Sequence, residues 1–190
     1  MASVVGICNR ALQKVGAKRI TSISEDSVSA RACNNCYESL RDAELQAHKW
    51  NFAIYRAELA ADSPAPDWGP ANSFTLPSDF LKLADPDQFD NTSAIDYQIE
   101  GRKIFSNFDA PLYIRYVKQV TDPNEMDVLF REALACRMAL ELCEELTQSN
   151  SKKESLRSDY DAAIKLARRS NAFARRPQEP EVSGWTSERS

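Results

Sequence analysis

The chain has one histidine and five glycines in 190 residues, and it contains no run of eighteen apolar residues. Each shortage excludes something. A single imidazole removes zinc sites built on two histidines, and it leaves His48 as the only side chain whose ordinary pKa lies near neutrality. With glycine only at positions 6, 16, 69, 101 and 184, neither G-x-G-x-x-G nor G-x-x-x-x-G-K-[ST] can be written, so the common phosphate-cradling loops are absent. The lack of a long apolar run, with a mean hydropathy of -0.50, leaves no transmembrane helix. The start, Met1-Ala2-Ser3-Val4-Val5, lacks a basic n-region and a long apolar h-region and is interrupted early by Asn9 and Arg10, so no export signal is expected. What remains is ordinary for a folded chain: 43% hydrophobic and 27% charged residues, enough for one domain with a real core, or one domain carrying an insertion and a tail. These absences favour a binding or structural role.

Helical periodicity is clear at both ends of the chain. Val5, Cys8, Leu12 and Val15 form one stripe, and Gly16 is a C-terminal stop. After a loop over 17–23, Ser24-Glu25-Asp26-Ser27 offers a cap and first-turn acids for a long helix with Val28, Ala32, Cys36, Leu40, Ala43 and Ala47 on one face. At Trp50 the period changes to alternation, which predicts a strand starting there. The prolines of 62–70 predict a loop, Ser73 to Leu76 extended chain, and Pro77-Ser78-Asp79 a short helical turn over 80–83. Short alternating stretches at 94–100, 103–105 and 112–120 complete a small antiparallel sheet.

Asp122-Pro123-Asn124-Glu125 reads as an N-cap, a first-turn proline and an acid at N3. The helix it opens has two neighbouring apolar stripes, Leu129, Ala133, Cys136, Leu140, Cys143 and Phe130, Leu134, Met138, Leu142, Leu146, so it should lie centrally. Ser151-Lys152-Lys153-Glu154 reads as a capping box for a fourth helix with Leu156, Tyr160, Ala163 and Ala167 inward. The pattern stops at Ala174. The expected fold is therefore α+β: a bundle of about four helices from 1–49 and 121–173, a β insertion over 50–120, and an extended tail over 174–190.

Candidate chemistry is sparse. Cys33 and Cys36 have metal or redox spacing, and Cys136 with Cys143 lies on one helix face, so a four-thiolate site is conceivable. A C-x-x-C inside a long helix is poor zinc geometry, however, and buried core thiols with Cys8 among them are the expectation. His48 sits at a helix end, where a cation complements the dipole, and no nucleophile in a strained glycine turn accompanies it. Asp85-Pro86-Asp87 and Glu144-Glu145 could pair carboxylates for hydrolysis, but such pairs usually lie on solvated faces. No catalytic residue, cofactor or metal is expected.

Charge is distributed unevenly. From 151 to 176 there are eight bases, Lys152, Lys153, Arg157, Lys165, Arg168, Arg169, Arg175 and Arg176, against Glu154, Asp159 and Asp161. That segment is +5, so the rest of a chain with net charge -4 carries -9. The basic residues fit the C-terminal dipole of the fourth helix, or a contact with an acidic partner or nucleic acid. Aromatic interleaving of the single-strand type is absent.

The string Cys8-Asn9-Arg10-Ala11-Leu12-Gln13-Lys14-Val15-Gly16, then Ile20-Thr21-Ser22-Ile23, Ala30-Arg31-Ala32-Cys33, Tyr37, Arg41 and Trp50-Asn51-Phe52-Ala53, resembles the amino-terminal half of the tail tubular protein A family. The resemblance continues more loosely through Phe74-Thr75-Leu76-Pro77-Ser78-Asp79-Phe80-Leu81, the strand at 112–117 and the two last helices. That family comprises head-to-tail adaptors of short-tailed, podovirus-like bacteriophages. The resemblance implies a virion protein that forms a ring, dodecameric in relatives, between the portal protein and the tail nozzle. Double-stranded DNA would pass through the ring without sequence-specific binding, and tail fibres or tailspikes could attach to the β part. The tail would reach the portal, with Arg168, Arg169, Arg175, Arg176 and Trp185 as partner-binding residues. Two other classes stay open: a nucleic-acid-binding module using 151–176, and a hydrolase built on Asp and Glu.

Overall fold

Ser3 opens the first helix by accepting a hydrogen bond from the Gly6 amide, and Gly16, at φ 87°, closes it with its N–H on the Leu12 and Gln13 carbonyls. That left-handed turn is one a side chain would strain. The result is α1, Val4–Val15. The computed structural model describes residues 1–84 and 97–174. Ser27 caps α2, Val28–Ala47, by accepting from Ala30. Glu25 and Asp26 therefore precede the cap instead of filling the first turn. The Glu25 carboxylate accepts from the Thr21 amide and hydroxyl, which braces the loop before the helix.

Trp50 does not start a strand. It leads a single 3-10 turn, Asn51–Ala53, because its indole is drawn into the helical core, where Nε1 donates to the Glu44 carbonyl at 2.8 Å. Its ring packs edge-on against Phe130, with centroids 5.0 Å apart, and stacks on Phe52. The apparent alternation of Trp50, Phe52 and Ile54 thus records a turn wrapped around Phe130. Strand β1 follows at Ile54–Leu59.

The middle of the chain makes two small sheets where one was expected. Strands β2 (Asn72–Thr75), β3 (Phe80–Leu83), β4 (Tyr97–Glu100), β5 (Lys103–Ser106) and β6 (Leu112–Lys118) sort with β1 into the orders β1-β6-β3 and β2-β5-β4, all pairs antiparallel. Residues 80–83 are therefore a strand, not a helical turn. Pro77 to Phe80 does close a turn, through the Phe80 amide and Pro77 carbonyl, but β6 then offers an edge whose hydrogen bonds outweigh a lone helical turn. Leu59, Phe74, Leu76, Ile104, Leu112, Ile114 and Tyr116 form a core shared by the two sheets. The expected strand residues 94–96 lie outside the described residues.

Asp122 to Glu125 forms a turn ahead of the third helix, with the Asp122 carboxylate accepting from Asn124. The helix itself, α3 at Val128–Thr147, is capped by Asp127, which accepts from Leu129. The cap therefore stands five residues after Asp122, the residue expected to be the cap. Likewise Ser149, not Ser151, caps α4, Asn150–Phe173, by accepting from Lys152. α3 is central, as its wide apolar arc implied: ten of its residues are buried, and it packs on α1, α2 and α4. A second, larger core gathers all four helices with Trp50, Ala53, Val117 and Val120, so the start and end of the β segment are anchored in the bundle.

One ion cluster ties α1 to α3. Glu132 takes a bidentate pair from Arg10, at 2.9 and 3.0 Å, and the Lys14 ammonium at 2.9 Å. Arg10 hydrogen bonding, ahead of Lys14, holds the Glu132 carboxyl below the usual carboxylate range. A depressed acid contributes stability above its unfolded pKa, and that contribution fades as pH falls through the folded value. Glu132→Gln should therefore cost up to about 1 kcal/mol at pH 7. In denaturant titrations the two proteins should converge in acid, and a gap persisting there would assign the loss to packing.

Candidate interaction surfaces

α4 builds the first surface. Leu156, Ile164 and Ala167 are buried and Tyr160 is half-buried toward the bundle. The opposite face carries Ala162, Leu166, Arg169 and Phe173, spaced four, three and four apart, which is one stripe on a helix. Leu166 is 54% and Phe173 76% exposed, and the Arg169 guanidinium lies 5.8 Å from the Phe173 ring centroid. Arg168 is exposed on the flank of the same helix, as is Lys165. Of the five residues expected to meet a partner, the structure places Arg168 and Arg169 on this surface, whereas Arg175, Arg176 and Trp185 lie outside the described residues. Leu166 and Phe173 were missed in sequence, although their spacing relative to Ile164 and Ala167 held the signal.

The last turn of α4 locks the junction between α2 and β1. Asn171 accepts from the Asn51 amide at 2.8 Å and donates to the Lys49 carbonyl at 2.8 Å, while the Asn51 side chain donates back to the Asn171 carbonyl. His48, the C-cap residue that follows α2, lies beside Asn171 and meets Trp50 edge-on. It serves the helix end and the junction.

A buried carboxylate lies one helical turn earlier. Glu44 accepts from the Tyr160 hydroxyl at 2.7 Å, with the Arg137 guanidinium at 4.0 Å. Burial, then the hydrogen bond to Glu44, pushes the Tyr160 phenol up to about 12. The Arg137 guanidinium also stands over the Tyr160 ring. This set pins α2, α3 and α4 together and presents no reactive group to solvent.

The cysteines do not converge on a metal. Cys8 and Cys33 touch across α1 and α2, Cys136 faces Lys14, and Cys143 hydrogen-bonds with Thr147. The Cys8–Cys33 contact pushes the Cys8 thiol up and the Cys33 thiol down, and burial pushes Cys36 up to about 12. Among the described residues no group of three or more His, Cys, Asp or Glu could hold a metal ion. Glu144 pairs with Lys153, and Asp85 and Asp87 lie outside the described residues.

On the β side the exposed large apolar residues include Tyr55, Trp68, Tyr113, Ile99 and Phe108, with Trp68, in the loop after β1, 88% exposed. Among the described residues no helix is long and apolar enough to cross a membrane. No family model matches the chain, and no curated protein matches it at a significant level.

Proposed function

We propose that the chain is a structural virion protein, the head-to-tail adaptor of a short-tailed phage, with no chemistry of its own. Its copies would form a ring, twelve as the resemblance implies, between portal and nozzle around the passing DNA. The observation that carries this reading is the outward stripe of α4, where Leu166 and Phe173 stay exposed on a helix whose other face is already satisfied. A monomer has no use for two large apolar groups spaced to fit a neighbouring helix, while a ring subunit must bury surface against both neighbours. Exposed Trp68, Tyr55 and Tyr113 give the β side a second surface, suited to nozzle, fibre or tailspike proteins.

The net charge of -4 supports a channel that does not grip phosphate, with the bases of α4 reserved for protein contacts. Retention on duplex DNA tests this. Weak retention even at low salt is expected, and tight, salt-steep binding would overturn the passive channel. The second reading, a nucleic-acid module, draws on the exposed Arg168 and Arg169. It requires reversal of Arg168, Arg169, Arg175 and Arg176 to abolish DNA binding while leaving assembly intact. The hydrolase reading would rest on Glu141, Glu144 and Glu154, which line one cleft between α3 and α4. Arg137, Lys153 and Arg157 share that cleft and Lys153 pairs with Glu144, an arrangement of ion pairs rather than of an acid and a free base.

A further inference from the structure

A contact that repeats around a ring joins two unlike surfaces, one offered and one receiving, and the outward stripe of α4 is the offered one. The exposed Lys165, Arg168 and Arg169 accompany Leu166 and Phe173 there, and none of the three forms an ion pair with a described residue. Pairing the stripe with its own copy about Arg169 would set the three bases of each copy against one another, and like charges facing across a contact oppose association. The receiving surface should therefore be acidic.

An acidic groove stands at the same end of the bundle. About 340 Å³ in volume, it opens between the 3-10 turn, the segment leading into α3 and the last turns of α4. Trp50, Phe52, Met126 and Ala167 give it an apolar side, and the exposed Glu125 and Asp127 an acidic one. No described lining residue is a cation. Asp127 uses one carboxylate oxygen on the Leu129 amide, and Glu125 forms no ion pair with a described residue. The start of α3 and the end of α4 contribute opposite partial charges that cancel, so the two carboxylates set the sign.

Groove and stripe use different sides of α4. Ala167, Ser170, Asn171 and Ala174 line the groove, whereas Leu166, Arg169 and Phe173 lie roughly a third of a turn away around the helix. One copy can thus offer and receive at once. Both surfaces occupy the last turns of α4, so the contact can repeat side by side at one level, as closure of a ring requires.

We propose that this groove receives the α4 stripe of a second copy of the chain, with Phe173 of that copy covering the apolar side and its Arg169 pairing with Glu125. The proposal rests on the ring reading and supplies the second surface which that reading needs.

Sedimentation of the full chain over a range of concentrations at low salt, with and without portal protein, tests it. Arg169→Glu and Glu125→Arg should each weaken association about tenfold or more, because each sets like charges face to face. Both residues are exposed, so melting temperatures should stay within about 2 °C of wild type. A mixture of the two variants should associate as wild type does, since each meets its opposite in the other, and so should a chain carrying both changes. Glu38→Arg, on the exposed side of α2, should change nothing. Loss of association in Leu166→Glu, Phe173→Glu beside an unchanged Glu125→Arg would overturn the groove and leave the ring reading standing. A loss in Glu125→Arg that Arg169→Glu fails to repair would also overturn the pairing. A wild type that stays monomeric with and without portal protein would overturn both the groove and the ring.

Discussion

Trp50→Ala is expected to cost about 3–5 kcal/mol of folding stability. Its indole is 1% exposed, packs against Phe130, Phe52 and His48, and donates to the Glu44 carbonyl near the end of α2. Removing it opens a cavity where α2, α3 and the 3-10 turn meet, and it leaves a buried carbonyl without its indole donor. For a domain of this size each kcal/mol moves the midpoint by about 2–4 °C, so a drop of about 6–20 °C should appear in a melting curve. Trp50→Phe should recover part of the loss by refilling volume without restoring the hydrogen bond. A loss below about 1 kcal/mol for Trp50→Ala would contradict the placement of the indole in the core.

The double variant Leu166→Glu, Phe173→Glu should do the reverse, leaving the fold intact and removing assembly. Both residues are exposed, so folding stability should change by no more than about 0.5 kcal/mol for each. If a neighbour covers them, each large apolar side chain contributes about 1.5–3 kcal/mol of burial to the contact. Losing both therefore weakens association about a hundredfold or more. Sedimentation of wild type and variant at matched concentration, with and without portal protein, would show it. Unchanged assembly would place the ring contact elsewhere.

The helices were legible because their cores are periodic. Val5, Cys8, Leu12 and Val15, and the double stripe of α3, write a 3.6-residue repeat that only a helix can bury. Their beginnings were less legible, because several residues compete to cap. Asp122 and Asp127 are both plausible N-caps, as are Ser149 and Ser151, and the structure uses the later of the first pair and the earlier of the second. Local rules cannot rank such pairs, since packing sets where the first buried turn must start. Trp50 misled for a related reason: alternation over three aromatic or branched residues fits a strand, yet the Phe130 pocket, eighty residues away in sequence, imposes a turn. The division into two sheets likewise rests on which edges β6 and β5 offer, and such pairings leave no mark in a single segment.

Of the candidate surfaces, Arg168 and Arg169 were legible from charge alone. The apolar members of the outward stripe, Leu166 and Phe173, were readable only once the inward face of α4 was known. The groove at Glu125 and Asp127 was not legible at all, because it joins the 3-10 turn, the segment leading into α3 and the last turns of α4, separated by long stretches of chain.

The most direct test of the proposed adaptor role is the mass and negative-stain image of the purified chain mixed with a purified short-tailed-phage portal protein. The account predicts a closed ring seated on the portal, one adaptor copy beside the next, with assembly lost in the Leu166→Glu, Phe173→Glu variant. A chain that stays monomeric and unbound in the presence of the portal would contradict it.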